Sequence, residues 1–272
     1  MLGNIEKMIV QHDSPVRYQL PIGDARVDMN ALIGKQISIQ FGGEIHCVAC
    51  GRLTKKSFNQ GYCYPCFRSL AACDMCIMKP ETCHFEQGTC REPDWGMSHC
   101  MQPHYVYLAN SSGIKVGITR GTQLPTRWID QGATQALPVF RVDTRLHSGL
   151  LEVELKNHVS DRTDWRKMLK GEADVVDLGA VRDELVEKSA DRIKQLTEAN
   201  GAGVIEFLPD EKPVTIEYPV LSYPEKVKSF NLDKQPFAEG TLQGIKGQYL
   251  ILDTGVLNIR KYSGYNIHLQ IK

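Results

Sequence analysis

The chain has 272 residues, of which 42% are hydrophobic and 24% are charged, proportions that are ordinary for a globular protein. It contains no run of about 18 apolar residues, so we predict no membrane span and no membrane partner. Its first residues, MLGNIEKMIVQHDS, do not have the pattern of a signal peptide, and a cytoplasmic location is therefore expected. The formal net charge is zero, which excludes neither nucleic acid nor any other class of partner.

The charges are distributed unevenly along the chain. Residues 104–170 contain ten Lys or Arg against six Asp or Glu, whereas residues 171–199 contain four against eight. Local patches, rather than the total charge, attract an anionic partner. The basic excess therefore favours residues 104–170 as the location of a nucleic-acid site.

The order of the elements predicts an α+β protein in five parts. Residues 1–45 form an N-terminal β segment, with short β-branched runs such as KQISIQF. Residues 46–103 are a cysteine-rich segment with little apolar periodicity, which we expect a metal to organise. The pattern of residues 104–170 predicts a hairpin, a helix, a strand and a second helix. Residues 171–202 are predicted to form a helical connector. Residues 203–272 predict a small antiparallel barrel or sandwich, which the N-terminal strands either complete or leave as a separate sheet.

Two longer helices are predicted in the second half of the chain. One has the sequence SGLLEVELKNHV, from Ser148 to Val159, and Ser160 or Asp161 can end it. The other is predicted over residues 180–201, where the apolar side chains recur along one helical face.

All nine cysteines lie between Cys47 and Cys100, and in a reducing compartment such clustering favours metal binding over disulfides. The stretch CVACGRLTKKSFNQGYCYPC contains two C-x2-C pairs separated by twelve residues, which is the spacing of a zinc ribbon. His46 could replace one thiolate, and four unligated thiols are the alternative to a metal site. The predicted ligands of the first zinc ion are Cys47, Cys50, Cys63 and Cys66.

Five further cysteines follow, with two histidines, His84 and His99, close to them in sequence. We predict a second structural zinc ion, and an iron–sulfur cluster is the alternative because thiolates also suit iron. Four-cysteine zinc leaves no open coordination position, so neither ion is expected to be catalytic. The expected ligands are Cys73, Cys76, Cys83 and Cys90, with Cys100 replacing Cys83 or Cys90 as the main variant.

A hairpin and a short helix are predicted in HYVYLANSSGIKVGITRGTQLPTRW, residues 104–128. Alternation along the two strands places Tyr107 and Lys115 on matching faces, and Gly117 allows a close approach. Arg127 follows in the helical stretch. A phenol, an ammonium and a guanidinium that converge on one surface are what a phosphodiester site needs, because the guanidinium stabilises developing negative charge and a base activates water.

This region resembles the GIY-YIG nuclease superfamily over about residues 104–167. The stretch VYLAN looks like the first motif, KVGIT like the second, RW like the arginine of the following helix, and LLEVELKNHV like the later helix with the metal-binding glutamate. With the cysteine-rich segment ahead of it, the chain looks like an uncharacterised bacterial family that joins such a segment to a GIY-YIG-like domain.

The resemblance implies roles for individual residues. Tyr107 would be the tyrosine of the first motif, Arg127 the helix arginine and Glu152 the single Mg²⁺ ligand, with Glu154 as the competing choice. The second motif has Lys115 where a tyrosine is common, as in a phage-type branch that reads KIG. The histidine that is common after the arginine helix appears as Gln131. A lysine can act as a base only if its pKa falls well below about 10.

Three functions therefore compete. The first is a zinc-stabilised, Mg²⁺-dependent endonuclease that acts on DNA or RNA, with tRNA among its candidate substrates. The second is a non-catalytic RNA- or DNA-binding protein on a degenerate GIY-YIG scaffold, and the third is a protein–protein adaptor built on zinc modules. The sequence leaves open whether the protein is an enzyme and what its oligomeric state is.

Overall fold

The computed structural model of the chain describes residues 1–159 and 164–272. The N-terminal strands are β1 (Leu2–Asn4), β2 (Ile9–Gln11), β3 (Arg17–Ile22), β4 (Ala25–Asp28) and β5 (Gln36–His46). The cysteine-rich segment contains β6 (Leu53–Thr54), α1 (Tyr64–Ser69), α2 (Met75–Met78) and α3 (Pro93–His99). The next elements are β7 (His104–Asn110), β8 (Ile114–Arg120), α4 (Thr126–Asp130), β9 (Gln135–Val142) and α5 (Arg145–Leu155).

The second half of the chain begins with helices and ends in strands. The helices are α6 (Trp165–Lys170), α7 (Leu178–Lys188) and α8 (Ala190–Asn200). Two short strands follow, β10 (Ile205–Phe207) and β11 (Val214–Thr215). The C-terminal strands are β12 (Phe237–Lys246), β13 (Tyr249–Leu252), β14 (Gly255–Asn258) and β15 (Tyr265–Ile271).

The largest sheet combines strands from both ends of the chain. Its order is β1-β15-β5-β12-β13-β14, with β6 paired to β5, and every pair is antiparallel. Strands β2, β3 and β4 form a separate three-stranded sheet. In the described ranges the sheets are antiparallel and none closes into a barrel. The barrel is therefore wrong, and the sandwich, the other form predicted for the C-terminal strands, stays a prediction. The mixed α+β character is confirmed.

The β5 sequence explains which face of this strand packs on the core. Ile37 and Ile39 are fully buried while Gln36 and Gln40 are exposed, as period-two alternation requires. The buried isoleucines join one large core with residues of β12 and β15, such as Leu242 and Leu269. Apolar burial is roughly proportional to the area removed from water, so this core is the main source of stability for both chain ends.

The hairpin β7–β8 lies between two layers. It belongs to a sheet of order β10-β9-β7-β8, with β11 also paired to β9. On one face Val106 and Leu108 pack with Leu151 of α5 in a second core. On the other face Tyr107 and Ala109 belong to the core of the large sheet. The hairpin is consequently fixed from both sides.

The helices depart from the predicted bounds. Helix α5 begins earlier than Ser148, because the Thr144 side chain accepts a hydrogen bond from the His147 amide and caps it. It ends at Leu155, before the predicted end at Val159. The helix predicted over 180–201 is divided at Ser189 into α7 and α8. The predicted helix end at residues 160–161 lies outside the described residues. Within those residues, no helix combines the length and the apolar character that crossing a bilayer requires.

We expect the shared core to respond to truncation of Leu242, which is fully buried in β12. Leu242→Ala should lower the free energy of unfolding by about 2–5 kcal/mol, since it removes buried methyl groups and leaves a cavity. Leu221→Ala is the matched control because Leu221 is 68% exposed, and it should change the value by less than about 0.5 kcal/mol. Urea denaturation measures both, and equal losses in the two variants would contradict the assigned core.

Candidate functional site

Four cysteines form a compact cluster beside the end of β5. Cys47 follows β5 directly, Cys63 precedes α1 and Cys66 lies in its first turn. The sulfur atoms of Cys47, Cys50, Cys63 and Cys66 all lie within 4.8 Å of one another. A tetrahedral zinc ion binds thiolates at about 2.3 Å, so sulfurs this close fit one ion. These four residues could therefore hold a metal such as zinc.

The electrostatics of the cluster favour a cation. Burial opposes ionisation of Cys47, but backbone N–H groups of Cys63, Cys50 and Ala49 lower the pKa of its thiol to about 6. Burial and the neighbouring thiols instead raise the pKa of Cys66 to about 12. The first proton is thus lost easily and the last is retained, because adjacent thiolates repel one another. A divalent cation removes this repulsion and lets all four thiols ionise.

The remaining cysteines are arranged differently from the sequence expectation. Cys76, Cys83, Cys90 and Cys100 line one cavity together with apolar side chains such as Ile77 and Trp95. Cys73 is not among the lining residues, and its sulfur accepts a hydrogen bond from Asn59 Nδ2 at 3.6 Å. The predicted second ligand set contained Cys73 and treated Cys100 as a substitute for Cys83 or Cys90. The cavity is lined by Cys100 and not by Cys73, and the ligand set of a second metal stays a prediction.

In the hairpin, the ring of Tyr107 lies on Gly117. The two residues are cross-strand partners in β7 and β8, and Ala109 pairs with Lys115 two positions away. A Cβ atom at Gly117 would lie 2.6 Å from Cζ and 2.7 Å from the hydroxyl oxygen of Tyr107. Only glycine leaves room for the ring here. Tyr107 and Lys115 consequently share one face of the hairpin, as period-two alternation predicts.

Helix α4 brings polar groups to the hydroxyl of Tyr107. Gln131, directly after α4, accepts a hydrogen bond from this hydroxyl at 3.1 Å. Trp128 of α4 contacts the same ring edge-on, with centroids 5.9 Å apart. Burial raises the pKa of Tyr107, and the guanidinium of Arg127 opposes this increase. The phenol is therefore neutral, fully buried and close to the Arg127 charge.

Four cations lie around this point. Burial, followed by the charge of Arg127, lowers the pKa of Lys115 to about 8. Burial lowers the pKa of Arg145 and of Arg260, and the charge of Arg127 adds to this decrease. Asp130 does not neutralise Arg127, because it pairs with Lys7 at 2.8 Å. Among the described residues Arg127 has no ion pair within 4.0 Å. The cluster therefore has an excess of positive charge.

The carboxylate of Glu152 approaches from α5. Its side chain is 13% exposed and pairs with Lys156, one helical turn later, at 3.3 Å. Burial raises the pKa of Glu152, and Lys156 and Arg145 oppose this increase. The charge of Glu152 acts on Tyr107, whereas the competing Glu154 pairs with His158 at 3.5 Å. The structure thus brings Tyr107, Lys115, Arg127 and Glu152 into one electrostatic cluster, and Glu154 faces another partner.

Sequence reasoning missed Arg145 and Arg260. Arg145 precedes the predicted start of its helix and so was not placed on it. It lies seven residues before Glu152, which is two helical turns and therefore the same face. The Thr144 cap was the available signal. Arg260 lies in a short helical turn after β14, and no local pattern links that turn to the hairpin.

A family model matches residues 34–267, which contain all nine cysteines and the whole cationic cluster. The chain belongs to this family, described as protein of unknown function DUF2797. A search of curated proteins finds no match, and a search of solved structures finds none either. In this DUF2797 chain the cysteine-rich segment and the hairpin thus lie within one family unit.

The first metal centre can be tested by its zinc content. Cys63→Ser should lower the zinc bound to the purified chain by about one equivalent, because three thiolates hold the ion less well than four. Cys73→Ser is the matched control, since Cys73 is a buried cysteine outside the four-sulfur cluster. Elemental analysis measures both variants, and unchanged zinc in Cys63→Ser would contradict the assignment.

Proposed function

We propose that this protein is a Mg²⁺-dependent phosphodiesterase that acts on DNA or RNA through a GIY-YIG-type site, with a four-cysteine zinc centre as a structural support. The observation that carries the proposal is the cationic cluster around Arg127, which adjoins one buried carboxylate, Glu152. Like charges held together in a partly buried place are unfavourable, and an anion relieves the repulsion. A phosphodiester is such an anion, and its phosphorus–oxygen bond can be hydrolysed.

Each side chain has a role that follows from its surroundings. Arg127 has no carboxylate partner among the described residues, and a guanidinium can bind two phosphate oxygens at once. It would stabilise the charge that develops on phosphorus-bound oxygen as water attacks. Tyr107 is held by Gln131 and Gly117 and would orient the attacked group. Arg145 and Arg260 would add to the attraction of the backbone.

Lys115 is the candidate general base. A base works best when its pKa lies near the working pH, because it must accept a proton and still be largely unprotonated. The pKa of Lys115 is lowered to about 8 by burial and by Arg127, which brings it into this range. In its neutral form the amine would take the proton of the attacking water.

Glu152 would hold the metal ion. Mg²⁺ prefers carboxylate oxygens and keeps several waters, so a single protein carboxylate suits it. When bound, the ion would supply charge neutralisation for the phosphate and its leaving oxygen. Burial of Glu152 favours a cation partner, since the charged carboxylate is otherwise poorly solvated.

A second candidate is a nucleic-acid-binding protein without catalysis. It is favoured by the burial of two central groups, because Tyr107 is fully buried and Lys115 is 8% exposed. In that case the cations would hold the phosphate backbone, and binding would weaken steeply with salt. An adaptor that binds other proteins would not show this dependence.

The two candidates are separated by matched glutamate variants. Glu152→Gln should lower the rate of DNA or RNA cleavage in Mg²⁺ by at least about 100-fold, because the amide carries no charge for the ion. Glu154→Gln is the control on the same helix and should leave cleavage nearly unchanged, since Glu154 faces His158. Cleavage is measured with labelled duplex, single-stranded and tRNA substrates. Binding by the wild-type chain without cleavage of any of them would exclude the phosphodiesterase and leave the binding protein.

The general base can be tested by pH dependence. Because the neutral amine is the active form, kcat/KM should rise with pH through about 8 and level off above it. Lys115→Arg retains the positive charge but cannot lose its proton, so it should be slow and show no such rise. A steady-state pH profile measures this, and the same rising profile in Lys115→Arg would exclude Lys115 as the base.

A further inference from the structure

We propose that Cys76, Cys83, Cys90 and Cys100 bind an iron–sulfur cluster of the four-iron type, distinct from the zinc centre at Cys47. The four thiols come from different parts of the cysteine-rich segment. Cys76 lies in α2, Cys83 follows a short helical turn, Cys90 lies in a loop and Cys100 ends α3. They nevertheless line one cavity. This inference is independent of the phosphodiesterase proposal.

The spacing of the sulfur atoms argues against a second zinc ion. In the first centre all four sulfurs lie within 4.8 Å of one another, as a single ion at about 2.3 Å from each requires. The sulfurs of Cys83, Cys90 and Cys100 do not all meet that limit, although they border the same cavity. A cluster binds each thiolate through a different iron atom and so keeps the sulfurs further apart. The wider arrangement fits a cluster better than one ion.

The walls of the cavity are suited to a cluster. Ile77, Phe85 and Trp95 provide apolar lining that limits access of water. Gly96 is needed in α3, because a Cβ atom there would lie 2.9 Å from the Phe85 ring and 3.3 Å from the sulfur of Cys90. The glycine therefore allows α3 to pack closely over this side of the cavity.

Arg145 supplies positive charge beside the thiolates. Its backbone N–H donates to the carbonyl of Cys100 at 2.8 Å, and its Nη2 donates to the carbonyl of Ile77 at 2.7 Å. A cluster with four thiolates is an anion, and a partly buried anion needs a nearby cation. The same helix packs on this segment at Gly149, where a Cβ atom would lie 2.5 Å from the amide of Glu81. The cluster would thus hold the start of α5 in place.

A smaller site shares one of these cysteines. Asp74, Cys76 and His84 have ligand atoms within 4.8 Å of one another. However, Asp74 pairs with Arg91 at 2.6 Å, and His84 Nδ1 lies 2.8 Å from the Thr89 hydroxyl. A mononuclear ion at this place would compete with Arg91 for Asp74 and would leave Cys83, Cys90 and Cys100 without a role. We therefore assign the metal to the four thiols.

The test is the metal content and spectrum of the full chain, purified without oxygen from iron-supplied cells. We expect about four iron and four sulfide per chain, with the visible charge-transfer absorption of thiolate-bound iron that dithionite bleaches. Cys100→Ser should lose iron and sulfide and keep zinc. Cys73→Ser is the matched control and should keep all three, because Cys73 lies outside the cavity.

Several results would overturn the assignment. Two zinc ions per chain and no iron in the anaerobic wild-type protein would show that the second centre is a zinc site. Zinc alone at one equivalent would show that the four thiols bind no cluster. If iron is present but is lost in Cys73→Ser and retained in Cys100→Ser, the ligand set is wrong. Circular dichroism of each variant shows whether a loss of iron reflects unfolding, and the wild-type measurement decides the presence of a cluster by itself.

Discussion

Arg127 lies within electrostatic reach of three other partly buried cations, Lys115, Arg145 and Arg260. Lys115 comes from β8, Arg127 from α4, Arg145 from α5 and Arg260 from the turn after β14, so the hairpin layer and the large sheet both contribute. Folding brings these like charges together in a partly buried place, which is unfavourable by itself. The packing of both layers sustains the arrangement, and an anion at its centre would relieve it. The proposed phosphodiester site follows from this physical conflict rather than from any one residue.

In the cysteine-rich segment the charges that repel one another are negative, because they belong to thiolates. Its helices are short, its apolar residues are few and several of its large ones, such as Met75 and Met78, are exposed. Thiolates placed together repel, and metal cations would remove this repulsion and fix the loops. Arg145 connects the cysteine-rich segment to the cationic cluster. It donates hydrogen bonds to the carbonyls of Cys100 and Ile77, and it begins the helix that carries Glu152. A metal bound in the cysteine-rich segment would therefore act on the geometry of the cationic cluster through one helix.

Local patterns predicted the parts of the site that local geometry determines. The C-x2-C pairs located the compact four-cysteine cluster, and alternation placed Tyr107 and Lys115 on one face of the hairpin. Patterns failed where distant segments meet. The strand partners of β5, which the sequence left open, the approach of Arg260 and the place of Cys100 in the cavity lining depend on tertiary packing, which sequence spacing does not encode. Of the two forms predicted for the C-terminal strands, the closed barrel is wrong. Both alternatives for the N-terminal strands occur, because β1 and β5 complete the C-terminal sheet while β2, β3 and β4 form a separate one.

The central claim is that the cluster around Arg127 hydrolyses a phosphodiester, and the most direct measurement follows the oxygen of water. Oligonucleotides of DNA and RNA are incubated with the metal-loaded protein and Mg²⁺ in water enriched in a heavy oxygen isotope, and the products are weighed by mass spectrometry. Each cleaved bond should leave one heavy oxygen on the product phosphate, and Arg127→Ala should abolish this labelling. Intact, unlabelled oligonucleotides with the wild-type protein, or equal labelling with Arg127→Ala, would contradict the central claim.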